Sequence, residues 1–597
     1  MGAKMRKKQN EIKISLVKNY KFRLNILKIF IILVYGLVLI RLFYMQVYNR
    51  EEFIEKSKKN RIKIRRIEAP RGNIYDRNGK LLVKNIAGYR LVYLNGRRYN
   101  DEIVKNIAEL LGISKESVIK KIKYGEIYTY TGENVLEQDL EIEKAHKIME
   151  KISKYSYLDV ISYSKRYYIY NDLASHVLGY IKPITEKEYE KLKDNPVYTK
   201  RSYTGKKGIE KQYDELLQGK DGYEYIEVNA YNKIVKKIKN AEVKPGSNLY
   251  LSIDYELQKY ITDFLGNEKA AFLAMEAKTG KIITMVSSPE YSLNMFTSKF
   301  STKDWNKLIK NPSRPLINRI TGSTYPPGSI FKPLVAMSFL EQGIDKDYEI
   351  YDPGYYQIGK WKYRSWKRGG HGYTNMEKSI IESVNTYYYT MGDKIGHKPI
   401  IETASKFGLG KKTGIDLPDE KVGILPDKEW KKVHYGEGWY RGDTVNLSIG
   451  QGYLLVTPLQ MLLAYDVLAN NGIGYKPHIL DKVIDSEGKV KNIEHEISIL
   501  YNGKKEYFDT LREAMVQVVD SNHGTGRRLR RDFVKIAAKT GSAQNSMYSD
   551  THAWAAGYFP ADNPEIVFVS FVEGGGSGGA IATKAVNAFI DKYYENK

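Results

Sequence analysis

The chain has 597 residues, with 95 Lys and Arg against 70 Asp and Glu, a formal net charge of +25, and 42% hydrophobic and 12% aromatic residues. That length exceeds a single hydrophobic core and implies two or three domains. The absence of cysteine rules out disulfides, thiolate metal sites and cysteine nucleophiles. Positive charge alone would suit nucleic acid, but no nucleic-acid-binding motif accompanies it.

Residues 1–28 hold nine Lys or Arg and one acid, Glu11. An apolar run follows from Ile26 to Val47. As a helix it spans roughly 33 Å, enough for a bilayer core. Arg41 lies near one end, where it can snorkel to the interface. The basic flank predicts a cytoplasmic N-terminus on residues 1–25. No small-x-small cleavage site follows the run, which favours an uncleaved anchor over residues 26–47. No second span is apparent, so the remainder is expected outside the cytoplasmic membrane.

Residues 48–66 read as a helix leading into a strand. Asn78-Gly79 between strand-like runs signals a hairpin turn. Residues 100–122 and 140–153 have helical periodicity. Residues 158–170 and 223–228 are rich in β-branched and aromatic residues and read as strands. Lys244-Pro245-Gly246 marks a boundary. Residues 48–245 are expected to form one domain of mixed α and β structure, and residues 246–597 a second.

In the second domain, residues 271–288 read as a strand hairpin, and 330–343, 375–392 and 457–471 as helices. Residues 534–545 and 553–572 read as adjacent strands and 580–594 as a closing helix. Tyr325-Pro-Pro-Gly-Ser-Ile-Phe-Lys332 carries a Ser-x-x-K tetrad. On a helix, Ser329 and Lys332 lie one turn apart on the same face, which suits a serine nucleophile with a lysine partner. Unpaired amides at a helix start can serve an oxyanion. Ser383-Val-Asn385 follows 54 residues after Ser329, and Lys539-Thr-Gly-Ser542 begins 156 residues after Ser383. Lys278-Thr-Gly280 and Glu290-Tyr-Ser-Leu-Asn294 imitate catalytic motifs but precede Ser329, in the wrong order; a hairpin turn accounts for the first.

Ser-x-x-K, Ser-x-Asn and Lys-Thr-Gly in that order resemble the active-site signature of the penicillin-recognising serine acyltransferases. Arg71-Gly-Asn-Ile-Tyr-Asp-Arg-Asn-Gly79 and Gly208-Ile-Glu-Lys-Gln-Tyr-Asp214 resemble pedestal motifs of class B penicillin-binding proteins. Gly442-Asp-Thr-Val-Asn-Leu-Ser-Ile-Gly-Gln-Gly452, with Thr457-Pro-Leu-Gln460, is similar to the elongation type. The resemblance implies a mixed α/β multidomain chain: one transmembrane helix, a pedestal of the dimerisation type, and an antiparallel sheet flanked by helices. It implies a peptidoglycan D,D-transpeptidase, inhibited by β-lactams, that cross-links stem peptides through a serine acyl-enzyme. Ser329 would be the nucleophile and Lys332 its base, with Ser383, Asn385 and Lys539 completing the catalytic set. Thr540, Gly541 and Ser542 would bind substrate, and the amides of Ser329 and Ser542 would form the oxyanion hole. Relatives usually carry Thr at the position of Ser542. The resemblance also implies a membrane-anchored SEDS-type glycosyltransferase and other elongation-complex proteins as partners, and neither cofactor nor nucleic acid.

A division-specific transpeptidase and a catalytically weak scaffold remain as alternatives. A lactamase would need a deacylating group, and none stands in the right order. Asp352, His371 and His397 could suggest a metal, because some relatives bind zinc in this segment. Without Cys, and with Ser365 where an acid would help, a hydrogen-bonded loop around Trp366 and His371 is the expectation, and no metal is expected. His552 is left open between lining the cleft and a structural role. Trp361, Trp366 and Trp439 are expected to pack the domain.

Overall fold

The computed structural model describes all residues except 95–97, 125–126, 129–132, 153, 156, 229–233, 241, 299–300 and 596. They form two compact units. The smaller comprises Met1–Ile67, Tyr89–Ile161 and Gly222–Glu242. It opens on a helix, Gly2–Phe43, continued by a π turn, Tyr44–Tyr48. Asn19–Tyr48 is long and apolar enough to cross a membrane, and Ile29, Phe30, Leu33, Leu37 and Ile40 are exposed along it. Such side chains call for an apolar surrounding. Ile62–Ile67, Gly222–Val228 and Ile234–Asn240 make an antiparallel three-stranded sheet.

Elsewhere in this unit, helix Asp101–Leu111 starts at Asn100, whose side chain accepts from the Ile103 amide, and stops at Gly112 with φ 68°. Asparagine at the cap and glycine in the left-handed region are ordinary end signals. Helices Asp101–Leu111, Lys115–Tyr124 and Ile142–Ile152 bury Val104, Ile107, Ile122 and Ile148 against Leu91 and Leu136 of the strands.

The larger unit comprises Glu68–Gly88, Ser162–Asp221 and Val243–Lys597. Its first two segments are joined by buried charge. Glu210 receives Arg71 Nε at 2.6 Å and Arg166 Nε at 2.7 Å, and Arg71 also reaches Asp214 at 2.7 Å. Burial opposes ionisation of Glu210, but the two guanidiniums outweigh it and hold the carboxyl below its usual range. The motifs at 71–79 and 208–214 thus meet at one network. Leu82, Val177, Ile209 and Leu217 belong to the same core cluster as Leu249 and Leu273.

The site rests on a five-stranded antiparallel sheet. In chain order its elements are α1 (Tyr255–Leu265), β1 (Ala270–Glu276), β2 (Ile282–Ser288), α2 (Lys332–Glu341), α3 (Asn385–Ile395), α4 (Pro458–Ala469), α5 (Lys505–Asp520), β3 (Ala537–Ala543), β4 (His552–Phe559), β5 (Ile566–Val572) and α6 (Thr583–Glu595). The strand order is β2-β1-β5-β4-β3, so β3 is an edge. Alternation sends Phe272 and Ala274 into one core with Ile261 and Phe589 of α1 and α6. It sends Ala271, Leu273 and Met275 into the other, with Leu462 of α4 and Leu334 of α2. Helix α4 is buried at every residue. It starts on a capping box between Thr457 and Gln460.

Two local expectations are corrected. The helix over 375–392 is two helices, Met376–Ile381 and α3, because Ser383 adopts φ 56° between them; a left-handed residue cannot continue a right-handed helix. The run 553–572 is two strands, broken at Pro560, Asp562, Asn563 and Pro564, residues that favour turns.

Candidate active site

Ser329 sits on a single 3₁₀ turn, Gly328–Phe331, that leads into α2. The turn is held from several directions. The Gly328 amide donates to Gly450 O at 2.9 Å, and Tyr325 pairs with Val456 through both backbone groups. Trp554 Nε1 donates to Pro326 O at 3.1 Å, and the Tyr465 hydroxyl to Ile330 O at 2.8 Å. Gly328 has φ 55°, a conformation that costs other residues about 1–2 kcal/mol. The edge strand β3 lies directly against the turn: a Cβ on Gly541 would fall 3.1 Å from the Ile330 amide nitrogen. Glycine in the Lys-Thr-Gly motif therefore permits this approach.

Two lysines converge on one hydroxyl from beneath. Lys332 Nζ donates to Ser383 O at 2.8 Å and to Asn385 Oδ1 at 2.7 Å, with Ser383 Oγ at 3.3 Å. Lys539 Nζ donates to the same Ser383 Oγ at 2.9 Å and to Thr540 O at 2.9 Å. The break before α3 puts Ser383 in that position, with its carbonyl and hydroxyl both on Lys332. Both lysines are buried, and the Tyr388 ring centroid lies 5.0 Å from the Lys332 amine. Burial, then the neighbouring Lys539, drives Lys332 well below the lysine range. Burial pushes Lys539 down to about 7.

Above this floor opens a cleft of about 900 Å³. Ser329, Ser383, Asn385, Thr540, Gly541 and Ser542 all line it. Thr540 Oγ1 donates to Thr525 Oγ1 at 2.8 Å. Ser542 Oγ accepts from the Gly578 amide at 3.2 Å, which leaves its own proton for the cleft. The eight residues singled out from the sequence are therefore gathered at one place. Gly450, Thr525, Tyr388 and Tyr465 belong to the site but are not singled out by the motifs. Gly450 lay inside a quoted motif, and the Gly524-Thr-Gly526 triplet was a usable turn signal for Thr525.

The structure corrects the expectation for two tryptophans. Trp361 and Trp366 are 66% and 61% exposed; Trp366 lines the cleft and donates to Glu382 O at 3.1 Å. Trp439 does pack on the core, and its indole donates to Thr444. His552 is buried on β4, where its Nδ1 accepts from the Gly574 amide, so its role is structural. Asp352 accepts from the ring and the amide of His371, and His397 stacks on Trp439. His371 Nε2 is buried without a hydrogen-bond partner. One nitrogen makes no zinc site, and no metal-holding group of three or more His, Cys, Asp or Glu occurs among the described residues.

The family model described as the penicillin-binding protein transpeptidase domain matches residues 270–591, and that of the penicillin-binding protein dimerisation domain matches residues 66–251. The chain is 35% identical to the peptidoglycan D,D-transpeptidase MrdA of Acinetobacter baumannii, over 92% of this chain and 84% of that protein. It is 32% identical to MrdA of Escherichia coli, over 93% and 91%. Among solved structures, the complex of penicillin-binding protein 2 with MreC from Helicobacter pylori aligns with a TM-score of 0.80 at 33% identity, covering 90% of this chain and 99% of that one. A peptidoglycan synthase complex, solved for its coordination of polymerization and crosslinking, aligns with a TM-score of 0.71 at 26% identity, covering 96% and 99%.

Proposed function

The chain belongs to the penicillin-binding protein family of peptidoglycan D,D-transpeptidases, in its elongation-type penicillin-binding protein 2 branch, and on that premise we propose how its own residues carry the reaction. The observation that carries the assignment is the pair of buried lysines on one serine hydroxyl. A neutral amine has two N–H donors and one lone pair. Lys332 spends both donors on Ser383 O and Asn385 Oδ1, so its lone pair is left to take the Ser329 proton. Ser329 Oγ attacks the carbonyl between the last two D-alanines of a donor stem peptide. The oxyanion is received by the amides of Ser329 and Ser542, where one lost donor costs roughly 10²–10³ in rate. Ser383, between the two amines, passes a proton to the departing D-alanine. Lys539, Thr540 and Ser542 suit the carboxylate of that D-alanine, Asn385 the donor amide, and Gly541 the close approach of the edge strand. β-Lactams, which present a similar carboxylate and acyl group, are expected to acylate the same serine.

The acyl-enzyme is then resolved by an amine of a second stem peptide. Residues 26–47, within the apolar helical segment Asn19–Tyr48, anchor the protein, with residues 1–25 in the cytoplasm and the catalytic domain outside; the basic flank supports this orientation. Residues 48–245 serve as the pedestal and 246–597 as the transpeptidase. The partner assigned is a SEDS-type glycosyltransferase, supported by the likeness to a peptidoglycan synthase complex; an MreC-type protein is a second, supported by the Helicobacter complex.

The test is cross-linking of pentapeptide-bearing peptidoglycan by the full chain in membranes. D-Alanine release should match dimer formation one to one, and Ser329→Ala should abolish both. Release without dimers would make the enzyme a hydrolase instead.

A further inference from the structure

The walls of the cleft are charged on one side of the ledger only. Lys362 and Arg364 stand on the hairpin strand Trp361–Arg364, and Arg527 and Arg528 on the 3₁₀ turn Arg527–Leu529. No Asp or Glu is among the described residues that line it, in a chain that has 70 of them. Lysine and arginine on an open surface are usually balanced by carboxylates, so a wall of one sign points to an anionic occupant.

Arg527 and Arg528 are tied to the substrate-binding end of the site. Thr525, two residues before Arg527, accepts the Thr540 hydroxyl. Arg528 Nη1 donates to Ala580 O at 3.1 Å, and Gly578, two residues before Ala580, donates to Ser542 Oγ. Arg527 Nη1 donates to Asn522 O at 3.2 Å. Neither guanidinium has a carboxylate partner among the described residues, whereas Arg531, three residues on, is held by Asp591 at 2.7 and 2.9 Å. Both side chains are exposed and anchored through one nitrogen each, which leaves the rest of each fork for a ligand.

We propose that Arg527 and Arg528 are acceptor-specificity residues: they hold a free carboxylate of the incoming stem peptide, additional to the one suited to Thr540 and Ser542. This rests on the transpeptidase reading above. The acceptor amine must enter where the D-alanine amine left, on the Thr540 and Ser542 side, and the arginine pair flanks that side. In the step itself the amine nitrogen bonds to the acyl carbon and the ester bond to Ser329 Oγ breaks. The amine proton returns to Ser329 by way of Ser383 and Lys332, and no other reactant is needed. The arginines touch neither the acyl carbon nor the proton path, so they act on acceptor binding.

The experiment uses the full chain in detergent, a thioester donor, and two acceptors. One is a stem tripeptide ending in a diamino acid, with all its carboxylates free. The other is the same peptide with the carboxylates away from the nucleophilic centre converted to primary amides. Aminolysis is read by mass spectrometry. The free acid should be preferred about 10-fold in kcat/KM, through KM, since a charge-assisted hydrogen bond contributes on that scale. The pair Arg527→Gln and Arg528→Gln should bring the preference below about 2-fold, and Arg527→Lys with Arg528→Lys should keep most of it, since the charge survives. For the unaltered chain, raising salt from about 0.05 to about 0.5 M should shrink the preference, because exposed charges are screened; this arm needs no variant to fold. Equal use of acid and amide, or a preference that ignores salt or survives in the glutamine pair, overturns the inference alone. Absence of any acyl adduct on Ser329 overturns the transpeptidase reading and this inference with it.

Discussion

Two ammonium ions on one hydroxyl in a dry floor are strongly disfavoured, and this governs the chemistry at the residue scale. Lys539 donates to Ser383 Oγ at 2.9 Å and the Lys332 amine lies 3.3 Å from the same atom, and both lysines are held below the lysine range. The pair titrates as a unit. Lys332, pressed further by burial and by its neighbour, is the member that stands neutral and can act as base. Lys539, near about 7, carries the charge that suits a carboxylate. The rate of acylation by benzylpenicillin should therefore be bell-shaped in pH. Its acid limb belongs to Lys332, which must lose its proton, and its alkaline limb to Lys539, which must keep one. Lys539→Ala lowers the rate, removes the alkaline limb and moves the acid limb to higher pH, because a positive neighbour that depressed Lys332 is gone. An acid limb that stays in place in this variant contradicts the assignment. The roles of Ser329 and Lys332 were legible from spacing, and so were the order and identity of the other two motifs. The burial that neutralises Lys332 was not, because it comes from helices and strands far apart in the chain.

At the scale of elements, the nucleophile turn is positioned by backbone packed on backbone. Gly450 has φ 73°, and a Cβ there would lie 2.3 Å from Gly328 O. Gly436 has nearly the same φ, 70°, and a Cβ there meets nothing within 4 Å. Comparing the two separates conformational strain from displacement. Gly436→Ala should cost about 1–2 kcal/mol of stability and leave acylation unchanged. Gly450→Ala must push the Gly328–Phe331 turn aside and should lower acylation by about 10²-fold, the scale of a 1 Å misplacement. Equal acylation rates in the two variants would show that the turn is not held from Gly450. The sheet and most helices are legible in the sequence, since their periodicity is strong. Residues 375–391 contain no Gly or Pro to mark a break, so their pattern reads as one helix through Ser383. A serine in the left-handed region leaves no compositional trace, and the bend that aims it at the lysines stayed hidden.

At the scale of the whole molecule, the chain order of the pedestal differs from its packing. Glu68–Gly88 and Ser162–Asp221 lie in the larger compact unit, where Leu82, Val177, Ile209 and Leu217 are buried. Each such side chain contributes about 1.5–3 kcal/mol when buried. Within that unit Gly88 lies against the Tyr163 ring, where a Cβ would come within 2.6 Å, so the two ends of the intervening segment are neighbours. Replacing Tyr89–Ile161 with a short linker should leave benzylpenicillin acylation intact, whereas removing 48–245 entirely should lower the melting temperature sharply and abolish acylation. Unimpaired acylation after the larger deletion would contradict the shared core. The motifs at 71–79 and 208–214 were visible in the sequence, but their meeting at Glu210 was not, because no local pattern joins Arg71 to a carboxylate 139 residues away.

The central claim is a serine acyl-enzyme at Ser329, and the most direct measurement is intact mass of residues 48–597 after incubation with benzylpenicillin, with peptide mapping of the adduct. The account expects one long-lived adduct on Ser329, absent in a folded Ser329→Ala variant. An adduct at another residue, label that persists in the variant, or rapid loss of the adduct with hydrolysis of the drug would contradict it.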